Sequence, residues 1–142
     1  MITFFLCLSI CFFAHDFEKA EFYIEKCVNV SNIVEKKDVF DTKLVENFIV
    51  DKPSDNSIIE YSEWRNELLH ELIECYPKEM LTILSTLTET QKKDVYNELR
   101  TPIHDGFDYV KIKNGINSVK GYDIIKKELN DIFDSVDNRK HP

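Results

Sequence analysis

Apolar residues recur every three or four positions through most of this 142-residue chain. That spacing places apolar side chains along one face of an α-helix. The chain also has only three glycines and four prolines, too few for the repeated tight turns of a sandwich or barrel. The pattern therefore predicts an all-α fold, with a single compact domain of about five to seven short amphipathic helices.

Three helices are predicted in the first half of the chain, separated by polar breaks. The clearest break is DKPSDNS at residues 51–57, which we interpret as a hinge because Pro53 interrupts a helix. Ser57 is the predicted N-cap of the third helix, and Pro77 ends that helix. The apolar positions that define the three helices are, in order, Phe17, Ala20, Ile24, Cys27 and Val28; Leu44, Val45, Phe48 and Ile49; and Ile58, Tyr61, Trp64, Leu68, Leu72 and Ile73.

The stretch YPKEMLTILSTLTETQKKDVYNEL, residues 76–99, predicts two short helices joined almost without a loop. Pro77 suits the first turn of the first helix, and Thr88 followed by Gln91 is a capping-box pattern for the second. The apolar face of the first helix consists of Met80, Leu81, Leu84 and Leu87, and that of the second of Val95, Tyr96 and Leu99.

Two more helices are predicted after residue 100. Thr101-Pro102 repeats the cap-then-proline start, and the helix that follows is expected to end at Asn114-Gly115. The last helix is expected to run from Ser118 to about Val136. Its apolar face consists of Val119, Tyr122, Ile125, Leu129, Ile132 and Val136.

The N-terminal run MITFFLCLSICFFA, residues 1–14, carries no charge and predicts a secretory signal peptide. It is shorter than the ~20 apolar residues that span a bilayer. A cut after Ala14 and a cut after Cys11 both fit, and a buried N-terminal helix is the alternative. We therefore expect a secreted, extracellular protein whose single helical domain comprises residues 15–142.

Two further expectations depend on secretion. Cys7 and Cys11 lie in the leader, so the mature chain keeps Cys27 and Cys75, which are expected to form a disulfide in an oxidising compartment. Two buried thiols are the alternative. Asn29 opens the sequon Asn-Val-Ser and is a candidate glycosylation site.

Charge and motifs exclude several classes of function. The net charge of −8 opposes binding to nucleic acid or to anionic lipid headgroups, and no stable membrane insertion is expected. His70 and Glu74 lie one helical turn apart, but a zinc-protease motif needs a second histidine where Glu74 stands. Neither a phosphate-binding loop nor a nucleophile elbow is present. We therefore expect a protein that is not an enzyme and has no metal or cofactor.

Within residues 76–136, YPKEMLTILSTLT followed by ETQKKDVYNEL resembles the opening of the nematode fatty-acid- and retinol-binding proteins. In that family a proline and an acidic residue start a helix, a leucine-threonine pair ends it, and a charged helix follows. The resemblance implies a secreted, all-helical carrier of fatty acids or retinoids. The residues at matching positions are Pro77, Glu79, Met80, Leu87, Thr88 and Leu99.

A carrier would need a cavity behind this pair of helices. The ligand carboxylate is expected at its mouth, near Lys126 or Lys78. The alternative is a secreted helical interaction module without a small-molecule ligand, which displays its apolar side chains to a protein partner instead of enclosing a cavity. The side chains expected to line a cavity are Met80, Leu84, Leu87, Val95 and Leu99, closed from the far side by Tyr122, Ile125 and Leu129.

Overall fold

The computed structural model describes residues 2–36, 39–53 and 58–140. Within these ranges the chain forms seven α-helices and no strand, which confirms the predicted all-α fold. In this part of the chain no helix is long and apolar enough to cross a membrane. The helices are α1 (Ile2–Lys36), α2 (Thr42–Val50), α3 (Ile59–Cys75), α4 (Pro77–Thr86), α5 (Glu89–Leu99), α6 (Tyr109–Ser118) and α7 (Asp123–Lys140).

Helix α3 lies at the centre of the fold. It packs against α1, α4, α5 and α6, and its side chains are buried on more than one side. Leu69, Leu72 and Ile73 are completely inaccessible to solvent. Because burial of one such side chain contributes about 1.5–3 kcal/mol, these three residues of α3 add substantially to the stability of the core.

The junction between α4 and α5 has the predicted capping box. The Thr88 backbone N–H donates to Gln91 Oε1 at 2.9 Å, and the Gln91 backbone N–H donates to Thr88 Oγ1 at 3.3 Å. Leu87 and Thr88 are both extended, so the connection between the helices is only two residues long. Local side-chain chemistry thus fixes this turn, as the sequence indicated.

The prediction of a helix starting at Thr101-Pro102 was wrong. Thr101 Oγ1 donates to the Asn97 carbonyl at 3.1 Å, so Thr101 closes the end of α5 and does not open a new helix. Helix α6 begins only at Tyr109, where Asp108 is the N-cap and accepts from the Lys111 N–H at 3.0 Å. Gly115, expected to be a break, lies inside α6, where an added Cβ would be in ordinary van der Waals contact with Pro77 at 3.7 Å.

The last helix also begins later than predicted. Residue 118 ends α6, and α7 starts at Asp123. Between them Gly121 and Tyr122 adopt positive φ angles of 81° and 59°, a left-handed turn that a continuous helix does not allow. The Tyr122 hydroxyl lies 2.9 Å from Thr82 Oγ1 on α4, which fixes a conformation that is unfavourable for a tyrosine.

Two predicted segments lie partly outside the described residues. Of the hinge at 51–57, residues 51–53 are non-helical and Pro53 is buried, whereas 54–57, including Ser57, are outside. Ile58, at the N-cap position of α3, makes no side-chain capping bond. Met1 is also outside, and residues 2–14 belong to α1. The signal peptide remains a prediction.

The predicted disulfide between Cys27 and Cys75 requires a correction. Cys27 is completely buried in α1, whereas Cys75 is exposed at the end of α3, and no two cysteines with described side chains lie at disulfide distance. The cause is the packing of α3 on α1. Cys27 lies near Arg65, whereas Cys75 is ten residues further along α3, and ten helical residues span about 15 Å. Burial raises the pKa of the Cys27 thiol to about 12.

Candidate functional site

The side chains predicted to line a ligand cavity lie in the hydrophobic core. Met80, Leu84, Leu87, Val95, Leu99, Ile125 and Leu129 are all buried, and Tyr122 is half-buried against them. Lys126, expected at the mouth, donates to the Val119 carbonyl at 2.8 Å, and Lys78 is exposed. None of these residues is among the described residues that line either of two solvent-open clefts considered below.

A network of buried hydrogen bonds is centred on Arg65, which is only 2% exposed although it is charged. Its Nε donates to Glu98 Oε2 at 2.8 Å and its Nη2 to Glu98 Oε1 at 3.3 Å, a bidentate pair between α3 and α5. Its Nη2 also donates to the Ile49 carbonyl at 2.9 Å, and its Nη1 donates to the Phe48 carbonyl. One guanidinium therefore joins α3 to α5 and to the carboxyl end of α2.

The electrostatics of Arg65 follow from this geometry. Burial alone would lower the pKa of Arg65, but the Glu98 carboxylate and the Tyr61 hydroxyl raise it further than burial lowers it. The carbonyls at the end of α2 also carry the negative end of the helix dipole, which favours a cation. Burial raises the pKa of Tyr61, which lies 3.4 Å from Nη1 of Arg65. Arg65 is therefore held as a cation in the core.

Asn66, the next residue of α3, fixes the irregular segment after α5. Its Nδ2 donates to the Glu98 carbonyl at 2.7 Å and to the Thr101 carbonyl at 3.3 Å. Its Oδ1 accepts from the Ile103 N–H at 3.3 Å. Asn66 thus satisfies its buried amide group through the segment after α5 and ties the Ile103 backbone to α3.

An aromatic stack holds the same segment further along. The Phe107 ring lies between two imidazoles, 4.2 Å from the centroid of His70 and 4.3 Å from that of His104. His70 is completely buried, and its Nδ1 lies 2.8 Å from the Asn66 carbonyl. His104 is at the surface, where its Nε2 lies 3.5 Å from Glu67. Residues 100–108 are therefore ordered by α3, despite having no helical structure.

These contacts build a cleft of about 510 Å³ between α3 and α5, which we call the α3–α5 cleft. The buried or half-buried Arg65, Asn66 and Glu98 form its floor, and the segments after α2 and α5 contribute Lys52, Pro53, Thr101 and Ile103 to its lining. Ile59 and Ile103 lie at its rim and are 69% and 43% exposed. The described residues that line it are Lys52, Pro53, Ile59, Tyr61, Ser62, Glu63, Arg65, Asn66, Asp94, Asn97, Glu98, Thr101 and Ile103.

A second cleft lies between residues 101–107 and the end of α7. Its volume is about 800 Å³, and its lining includes Asp105, Asp137 and Arg139. The Arg139 guanidinium donates to the Arg100 carbonyl and so already bridges α7 to α5. Unlike the α3–α5 cleft, the second cleft has no exposed large apolar side chain among its described lining residues.

Neither His70 nor Glu74 is placed to act in a shared site. His70 is stacked on Phe107 in the core, whereas Glu74 accepts a hydrogen bond from Lys111 at the surface. Among the side chains that the structure describes, no three His, Cys, Asp or Glu residues are arranged to hold a metal ion.

The candidate glycosylation site, Asn29, is exposed on α1. The Ser31 hydroxyl of its sequon is buried and donates to Glu35 at 2.8 Å.

Sequence reasoning missed the residues that build the α3–α5 cleft. The available signal was Arg65, which follows Tyr61 by four positions and precedes Leu69 by four, so it occupies a core position of an amphipathic helix. Nothing in the sequence indicates that Asn66 binds the backbone of residues more than thirty positions away.

Comparisons of the chain with protein-family models, curated proteins and solved structures find no match.

Proposed function

We propose that this protein is a helical interaction module that binds a peptide segment of another protein in the α3–α5 cleft. The observation that carries the proposal is the pair of exposed isoleucines, Ile59 and Ile103, on the rim of a cleft with a polar floor. Apolar side chains exposed beside convergent polar groups are typical of a binding surface.

The cleft is also pre-organised, which lowers the cost of binding. Arg65, Asn66 and Glu98 satisfy their hydrogen bonds within the protein, so the floor keeps its shape without a ligand. Ile103 is held in place through Asn66. A partner would therefore not have to order the site when it binds.

A carrier of fatty acids or retinoids is the competing proposal, and it has less support. The apolar side chains it needs, among them Leu84, Leu99 and Leu129, are already buried against other core residues. An acyl chain would have to displace packed neighbours to enter. The resemblance to the nematode carriers and the proposed secretion of the protein remain predictions.

Selection from a library of random phage-displayed peptides tests the proposed function. The purified protein is the bait, and a folded Ile59→Ser/Ile103→Ser variant is used for counter-selection. We expect peptides that bind the unchanged protein and lose most of their affinity for the variant. No enrichment, or binders that do not distinguish the two proteins, would refute a peptide-binding cleft.

Displacement of a fluorescent fatty acid tests the carrier in parallel. Leu84→Trp adds volume to the core and serves as the comparison for the unchanged protein. Saturable binding that is lost in a folded Leu84→Trp variant, together with failure of the peptide selection, would favour the carrier over the interaction module.

A further inference from the structure

We infer that the occupant of the α3–α5 cleft is an extended segment of a partner protein in which lysine or arginine alternates with apolar residues. This inference rests on the proposed function and adds the chemistry of the partner. It follows from the length of the cleft, from which of its charges are accessible, and from the charge of the whole chain.

The helical spacing of the lining residues sets the length of the cleft. On α3 the cleft is lined by Ile59, Glu63 and Asn66, which lie on one face of the helix. Seven residues of helix span about 10 Å. Since an extended chain rises about 3.3 Å per residue, the α3 wall matches three to four residues of an extended peptide.

The charges that a ligand can reach are mainly acidic. The Arg65 side chain is only 3% exposed, and Glu98 neutralises it. The Asp94 side chain is 46% exposed, and Glu63 is exposed at the rim. Among the lining residues that the structure describes, Lys52 is the one accessible cation, and it lies 3.4 Å from Asp94 and 3.7 Å from Glu98.

This arrangement favours a cationic ligand over an anionic one. An anionic segment would meet Asp94 and Glu63, and it would have to compete with two carboxylates for Lys52. A cationic side chain would instead be attracted by the Asp94 and Glu63 carboxylates, and apolar side chains of the same segment are available to cover Ile59 and Ile103. The net charge of −8 adds long-range attraction for a basic partner.

Three labelled hexapeptides of repeated Leu-Lys, Leu-Gln and Leu-Glu test the inference by fluorescence anisotropy. They share their apolar residues and differ only in charge, and peptides this short do not form stable helices in water. We expect the Leu-Lys peptide to bind the full-length protein at least tenfold more tightly than the Leu-Glu peptide, with the Leu-Gln peptide between them.

Two sets of variants assign the binding to the cleft. Asp94→Asn/Glu63→Gln is expected to weaken Leu-Lys binding about five- to tenfold and to leave Leu-Gln binding nearly unchanged, since exposed ion pairs contribute modestly. Ile59→Ser/Ile103→Ser is expected to weaken both peptides. Ile124→Ser, a change at a 76% exposed isoleucine outside the cleft, is the matched control and should weaken neither.

The outcomes separate the two proposals. Leu-Gln or Leu-Glu binding as tight as Leu-Lys, with loss in the isoleucine variant, would refute the cationic partner and keep the peptide-binding cleft. Binding of the Leu-Lys peptide that is equal in the unchanged protein and in both cleft variants would refute the site. Absence of binding by all three peptides, together with failed library selection, would refute both. Far-UV circular dichroism of each variant confirms that it is folded.

Discussion

Replacement of Arg65 by methionine is the sharpest test of how this fold holds together. Methionine keeps an unbranched apolar stem of similar length but removes every donor of the guanidinium. The change leaves the Phe48 and Ile49 carbonyls at the end of α2 without their partner. It also leaves the Glu98 carboxylate, whose side chain is 22% exposed, with Lys52 at 3.7 Å as its remaining ion-pair partner among the described residues.

The expected cost follows from the burial of the pair. Removing one partner of a fully buried ion pair costs about 3–5 kcal/mol, and the partial exposure of Glu98 and its contact with Lys52 lower that figure here. The two α2 carbonyls that lose their donor add about 1–3 kcal/mol each. A domain of this kind has a free energy of unfolding of about 5–15 kcal/mol. Arg65→Met should therefore remove a large part of the stability, measured by urea unfolding followed with far-UV circular dichroism.

Arg100→Met is the matched control. Arg100 is exposed, and its side chain contacts Asn97 at 3.1 Å within the same helical end. Its replacement should cost less than about 0.5 kcal/mol. If Arg65→Met cost no more than Arg100→Met, the guanidinium would not be the structural link that its contacts imply. Arg65→Met/Glu98→Gln should cost less than the sum of the two single changes, because the uncompensated charge is gone.

Four further predictions follow from individual residues. Cys75 should react quickly with iodoacetamide in the native protein, whereas Cys27, whose burial raises its pKa to about 12, should react only on unfolding, as peptide mass spectrometry would show. Burial, followed by the neighbouring carboxylates, raises the pKa of Glu71, so its folded form holds a proton more tightly than the unfolded chain and loses stability as the pH rises. Glu71→Gln should therefore increase the free energy of unfolding at neutral pH by about 0.5 kcal/mol, and the gain should vanish in acid. Leu84→Ala should cost about 2–5 kcal/mol in urea unfolding because Leu84 is completely buried. Gly121→Ala should lower the free energy of unfolding by about 1–2 kcal/mol, because a φ of 81° is unfavourable for a residue with a Cβ. A Cβ at this position would meet no atom within 4 Å, so the expected cost comes from the backbone conformation alone.

Each of these has an outcome that contradicts it. Equal alkylation rates for the two thiols would show that Cys27 is accessible. A gain from Glu71→Gln that persists in acid would have a cause other than charge, and Glu25→Gln, at an exposed position on α1, should give no comparable gain. A nearly neutral Leu84→Ala would indicate a loosely packed core, and a neutral Gly121→Ala would show that the turn does not need a left-handed residue.

The sequence by itself determined the helical fold and the features that depend on neighbouring residues. The capping box of Thr88 and Gln91 forms as predicted, because both groups lie within one turn of the helix they start. Pro77 opens α4 for a local reason as well, because its fixed φ angle suits the first turn of a helix and its missing N–H would have no partner there. Apolar spacing likewise predicted that Leu84, Leu99 and Leu129 are buried, because that pattern depends only on helical geometry.

Only the tertiary structure decided how residues distant in the chain are used. Thr101 has the local pattern of a helix start, yet it closes α5, because Asn66 on α3 holds the chain there in an irregular path. Arg65 is charged but buried, because the carbonyls of α2 and the carboxylate of Glu98 meet at its position. Local propensity differs between such alternatives by about 1 kcal/mol or less. Hydrogen bonds and an ion pair between elements outweigh it, and they depend on helix packing that the spacing of apolar residues does not encode.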